Sequence, residues 1–170
     1  MVLVLRRTAL FVALVVAFAL LGVAAAHAAT RDREVVAFSG FLPGTIVVKT
    51  GERGLYFVLD EQRALRFPVG VGRSGKTWTG NARVEGKFVR PAWQAPPELG
   101  GGPVIPGGAV NNPMGEAALT LRGGEYAIHG TNRPESIGGY VSSGCIRMHN
   151  RDIVELYRLV AVGTPVIVQQ

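Results

Sequence analysis

Residues 128–153 read IHGTNRPESIGGYVSSGCIRMHNRDI. The segment opens on the end of an apolar strand, passes through a glycine- and serine-rich run, and closes at the polar entry to a helix. It also holds the chain's only cysteine, Cys145, between two histidines, His129 and His149. A strand end, a tight turn and a helix start are where a small domain commonly displays reactive groups.

Working outward from this stretch, the spacing of Ile153, Leu156, Tyr157 and Val160 predicts one helix. Asn150 is expected as its cap, Asp152 and Glu155 sit near its positive end, and Gly163 and Pro165 stop it. TPVIVQQ then reads as a closing strand. Upstream, AALTLRGGEYAIHG is read as a hairpin, with strands near Ala117 to Arg122 and Glu125 to His129 around Gly123-Gly124. TIVVKT, LYFVLD and ALRFPVGV are short β-branched and aromatic runs separated by GERG and EQR, as in hairpin strands. Between these blocks, Pro91 to Gly115 is too rich in glycine and proline for a regular element. A connection that long is usually functional or disordered. The expected fold is a mainly β domain with one helix, without internal repeats.

The chain has 170 residues, enough for one domain with a real core. Arg6 and Arg7 precede an uncharged apolar run that ends in the small-residue site Ala26-His27-Ala28. This is the anatomy of a secretory signal peptide over residues 1–28, with an uncleaved anchor as the alternative. Either way the remainder is expected to be exported, to the periplasm or cell envelope. The formal net charge is +6, of which those two arginines supply two. The other basic residues are scattered, so nothing argues for a nucleic-acid partner. A mildly cationic exported domain suits an anionic polymer or surface.

Two cofactor readings fail on context. Gly70-Val71-Gly72-Arg73-Ser74-Gly75 matches G-x-G-x-x-G, but KTWTGNARVEG lacks the helix formers that a dinucleotide site needs next. His129, His149 and one cysteine show no metal-ligand spacing. A lone cysteine in an oxidising compartment is either packed and inert or kept for its chemistry. Ser142-Ser143-Gly144-Cys145 is built from small residues that allow neighbouring N–H groups to converge near the sulfur, as an oxyanion hole requires. Composition leaves both readings of Cys145 open. Of the histidines, His149 lies at an exposed helix entry, whereas His129 ends an apolar strand. The order His before Cys differs from that of papain-like enzymes.

The segment resembles the signature of the L,D-transpeptidases of the YkuD and ErfK/YbiS type, roughly HGT…S-x-G-C-[IV]-R-[ML]. TIVVKTGERGLYFVLDEQRALRFPVGVGRSGKTWTGNARV is similar to that family's opening hairpins and T-P-T-G segment, and NNPMGEAALTL to its N-P-x-G stretch. The likeness runs from about Pro43 to Val168. It implies a β-sandwich-like fold with a helix after the catalytic loop, a catalytic domain over residues 43–169, and a lead-in over residues 29–42. It further implies Cys145 as nucleophile, His129 as general base oriented by the Gly130 carbonyl, and an oxyanion hole from the backbone N–H groups of Ser143, Gly144 and Cys145. Asn132 is implied in substrate binding and Arg147 either in binding substrate carboxylates or in holding the motif loop, with a structural salt bridge as the ordinary alternative for Arg147. No metal or cofactor is implied.

The partner implied is the peptidoglycan stem peptide, with no membrane contact beyond the export signal or anchor. The implied reaction is acyl transfer through a thioester that cross-links third stem residues; an L,D-carboxypeptidase or hydrolase using the same site, and a non-enzymatic wall-binding module, are the alternatives. Two departures stand out. Ser143 replaces the histidine of the common S-H-G-C, and Trp78 replaces the proline of T-P-T-G.

Overall fold

The computed structural model describes residues 34–97, 100–123 and 126–170. The signal segment, and Gly124 and Glu125 of the expected hairpin, lie outside them. Eleven strands and one helix follow in order: β1 Glu34–Ala37, β2 Ile46–Lys49, β3 Gly54–Val58, β4 Arg63–Pro68, β5 Val71–Gly72, β6 Gly80–Val89, β7 Ala117–Leu121, β8 Ala127–His129, β9 Tyr140–Ser142, β10 Ile146–Arg147, α1 Asn150–Leu159 and β11 Pro165–Gln169. Nine strands join in the order β1-β4-β3-β2-β11-β6-β7-β8-β10, and β5 pairs with β9 separately.

The strand β6 holds the architecture together. Its first half pairs with β11 and its second half with β7, with an irregularity between Val84 and Gly86. A bulge of this kind bends a strand and lets it serve two sheets. This strand is not among those expected from the sequence. The run GNARVEGKFV buries only Val84 fully, so it lacks the apolar alternation that marks a half-buried strand.

Alternation is clear in the hairpins. Ile46, Val48, Leu55 and Phe57 enter the main core with Phe67, Leu119, Ile128, Ile146, Met148, Ile153 and Leu156. Val47, Tyr56 and Val58 face the other way and are covered by Phe38 and Phe41. Both faces of β2 and β3 are therefore buried, which is why these strands read as continuous apolar runs. β1, within the expected lead-in, pairs antiparallel with β4 and extends the sheet.

The helix forms where the spacing places it, with Ile153 and Leu156 buried. Its cap differs from expectation. His149 occupies the cap position without a side-chain bond, and Asn150 is the first helical residue. The Asn150 side-chain oxygen instead accepts from the backbone N–H groups of Glu116 (3.2 Å) and Thr131 (3.0 Å). Two tertiary donors outcompete the helix terminus for that oxygen.

In the long Pro91–Gly115 connection, the described residues hold a single bridge, Trp93 to Ile105. Buried Asn112 ties it down, donating to the carbonyls of Pro91 (2.9 Å) and Pro106 (3.0 Å) and accepting from the Met114 N–H (2.9 Å).

Candidate active site

β8 and β10 run parallel, with Ile128 opposite Ile146 and His129 opposite Arg147. Residues paired across such strands project to the same face. Ile128 and Ile146 are buried in the core, so His129 and Arg147 share the opposite face. Cys145 immediately precedes β10, two residues before Arg147. The placement is consistent with the local electrostatics: the Arg147 charge acts on both His129 and Cys145, and the Ala127 backbone N–H on β8 bonds to the sulfur. The fold thus brings the two candidate catalytic residues onto neighbouring strands at one end of the sheet. His149, at the helix entry, does not share this position.

The imidazole is buried, and its Nδ1–H donates to the Gly130 carbonyl at 2.6 Å. That bond leaves Nε2 as the acceptor. Burial lowers the His129 pKa to about 4; the bond to the Gly130 carbonyl opposes this, the smaller effect of the Arg147 charge adds to it, and the Pro113 carbonyl opposes it. Burial pushes the Cys145 thiol above its ordinary value, against smaller opposing effects from the Ala127 N–H and Arg147. At rest both groups are therefore neutral, a thiol and an imidazole, not a thiolate and an imidazolium. As a residue, Cys145 is partly exposed.

The state of His129 has a consequence for stability. An imidazole in the unfolded chain titrates near 6.5, so between about pH 6.5 and 4 the unfolded state binds a proton that the folded state refuses. His129 thus contributes stability above pH 6.5 that is lost as pH falls towards 4, at most about 3 kcal/mol. Asp152 acts in the opposite sense, because burial raises its carboxyl pKa. Melting curves of wild type and His129→Asn from pH 7.5 to 4.5 separate the two: the gap between the proteins should shift by roughly 10 °C across this range. A constant gap would show that His129 titrates normally.

The Gly130–Thr131 peptide is held from behind. Its N–H donates to Asn150, and its carbonyl accepts from His129. Because the peptide unit is planar, Asn150 sets the direction of the carbonyl that orients the ring. Sequence reasoning missed this role. Its only available signal was a polar residue beside the helix start, which reads equally well as a cap.

The 142–145 loop is bonded within itself. The Ser142 hydroxyl donates to the Cys145 carbonyl (2.6 Å) and accepts from the Gly144 N–H (3.1 Å). Of the three expected oxyanion donors, Gly144 is thus engaged inside the loop, Ser143 is exposed, and the Cys145 N–H has no partner among the described residues. Gly144 has φ of +129°, a value suited to glycine. Arg147 is partly buried. It has no acidic partner among the described residues, and its Nε is buried without a hydrogen bond, so the salt-bridge alternative finds no support. Asn132 is exposed in the loop after β8. No group of three metal-ligating side chains occurs among the described residues.

Fold and site together define a mainly β enzyme domain. The YkuD family of L,D-transpeptidase catalytic domains matches residues 43–168, and the chain belongs to that family. It is 37% identical over 130 residues to the "Putative L,D-transpeptidase YqjB" of Bacillus subtilis, a match that spans 75% of this chain and 73% of that protein. It is 38% identical over 135 residues to the "Probable L,D-transpeptidase YbiS" of Escherichia coli, spanning 71% of this chain but only 43% of the relative.

Among solved structures, the catalytic domain of the Enterococcus faecium L,D-transpeptidase acylated by ertapenem is similar in fold. Its TM-score is 0.59 at 20% identity, over 76% of this chain and 99% of that one. L,D-transpeptidase 3 from Mycobacterium tuberculosis, in complex with a faropenem-derived adduct, has a TM-score of 0.61 at 19% identity, over 74% of this chain and 60% of that one. The chain thus spans less than two thirds of the mycobacterial protein.

Proposed function

We propose that this domain is an exported peptidoglycan L,D-transpeptidase that works through a thioester on Cys145. Nε2 of His129 accepts the thiol proton as sulfur attacks the carbonyl joining the third stem residue to a terminal D-alanine. The Cys145 and Ser143 amides hold the resulting oxyanion; the Gly144 amide can join them only by leaving Ser142. Collapse of the tetrahedral intermediate breaks the C–N bond, His129 returns its proton to the departing amine, and the thioester remains. A side-chain amine from a second stem then displaces sulfur, its proton passing through His129 to regenerate the thiol. Arg147, a cation without an acidic partner beside the sulfur, is suited to a substrate carboxylate. Asn132, exposed in the loop after β8, is assigned to the stem on the family pattern alone. The observation that carries this reading is the parallel β8–β10 pair, which sets the buried, neutral His129 on the strand next to the one that the partly exposed residue Cys145 leads into.

Incubation of residues 29–170 with purified disaccharide tetrapeptide, followed by mass spectrometry, tests the reaction. The expected product is a cross-linked dimer with release of D-alanine. Tripeptide without dimer would mean that water resolves the thioester, making the domain a carboxypeptidase; unchanged substrate that is still bound would mean a wall-binding module.

A further inference from the structure

Trp78, which stands where the family has proline, is bonded to the loop that carries the nucleophile. Its indole Nε1–H donates to the Gly144 carbonyl at 3.0 Å. The ring is stacked on Tyr126, with centroids 5.0 Å apart and planes inclined by 10°. Tyr126 in turn lies against Gly144 so closely that a β-carbon there would overlap its ring. The turn just before Trp78 is tied to the same loop: Arg73 N–H donates to the Ser142 carbonyl (3.0 Å), and Lys76 N–H folds back to the Arg73 carbonyl (2.8 Å).

The Gly144 carbonyl and the Cys145 N–H belong to one peptide unit. In a planar trans peptide these two groups point in opposite directions. A donor that fixes the carbonyl therefore fixes the direction of the N–H. The amide concerned belongs to the nucleophile itself and has no partner among the described residues.

We infer that Trp78 is a positioning residue whose indole N–H aims the Cys145 amide at the oxyanion of the acyl-transfer intermediate. The inference rests on the thioester reading above. In this role Trp78 acts through the Gly144–Cys145 peptide, whose carbonyl it holds. A carbonyl free to rotate would leave the oxyanion with a misdirected donor, and such donors matter most when charge develops on oxygen.

The test compares two reactions of the same sulfur. Acylation by a carbapenem passes through an oxyanion, whereas alkylation by iodoacetamide displaces iodide at a saturated carbon and needs no oxyanion donor. Trp78→Phe keeps an aromatic ring against Tyr126 and removes the N–H. A second variant carries 3-benzothienylalanine at position 78, an isostere of tryptophan without the N–H, and serves if the phenylalanine variant folds poorly.

In both variants, acylation is expected to slow at least tenfold, while the alkylation rate and melting temperature stay within twofold and a few degrees of wild type. Equal slowing of both reactions, or no slowing of acylation, overturns the positioning role while leaving the thioester reading intact. A wild-type protein that alkylates at Cys145 but forms no carbapenem adduct overturns the thioester reading and, with it, this inference.

Discussion

Alanine at position 145 is expected to reduce turnover of the disaccharide tetrapeptide by about 10⁴-fold or more and to abolish the carbapenem mass adduct. The size follows from what is removed. Without sulfur there is no covalent intermediate, and an imidazole held to about 4 is too weak a base to activate water in its place. His129→Asn should lose activity on a similar scale, because the resting thiol is neutral and needs an acceptor for its proton. Nucleophile and base act as one unit, so the double variant should be little worse than either single one. Melting temperature should stay within a few degrees of wild type for Cys145→Ala, since the residue is partly exposed and its side chain is of similar size to its replacement. Undiminished cross-linking by Cys145→Ala would refute the thioester mechanism.

The protonation of this pair also marks the limit of what the sequence discloses. His129 and Cys145 could be picked out by order, by the glycine- and serine-rich run and by the family pattern. Their charge state could not, because burial and the approach of Arg147 arise only when β8 and β10 come together. The hairpin strands β2 and β3 were readable as short apolar runs because both their faces are buried, and helix α1 because it buries residues three to four apart. β6 escaped because it spans two sheets with most of its side chains exposed or half-buried, leaving no period to detect. β10 is only two residues long, too short for any pattern.

Side-chain bonds that link distant segments were the least legible. Asn150 reads as a cap from its neighbours, yet its oxygen serves Glu116 and Thr131. Trp78 read only as a departure from proline, because nothing local connects it with Gly144. In both cases a side chain grips a backbone peptide from behind the reactive group. Each determining partner is tens of residues away in sequence, where propensity and spacing carry no information.

Gly144→Ala is the substitution that tests how rigid this arrangement is. Two independent costs meet at that position. The backbone has φ of +129°, which a residue with a β-carbon adopts only at about 1–3 kcal/mol. The added carbon would also overlap the Tyr126 ring, which is held by its stack on Trp78. The loop can relieve the overlap only by displacing Tyr126 or by turning the Gly144–Cys145 peptide. Both moves disturb the Trp78 bond. Destabilisation of about 3 kcal/mol or more is expected, measured by urea unfolding, together with a fall in acylation rate of at least 100-fold.

A double-mutant cycle with Tyr126→Ala separates the two costs. Removing the ring from the Gly144→Ala protein should recover the part of the stability lost to overlap and leave the part due to φ. If Gly144→Ala acylates and unfolds like wild type, the loop is not confined as described, and orientation of the Cys145 amide from behind loses its physical basis.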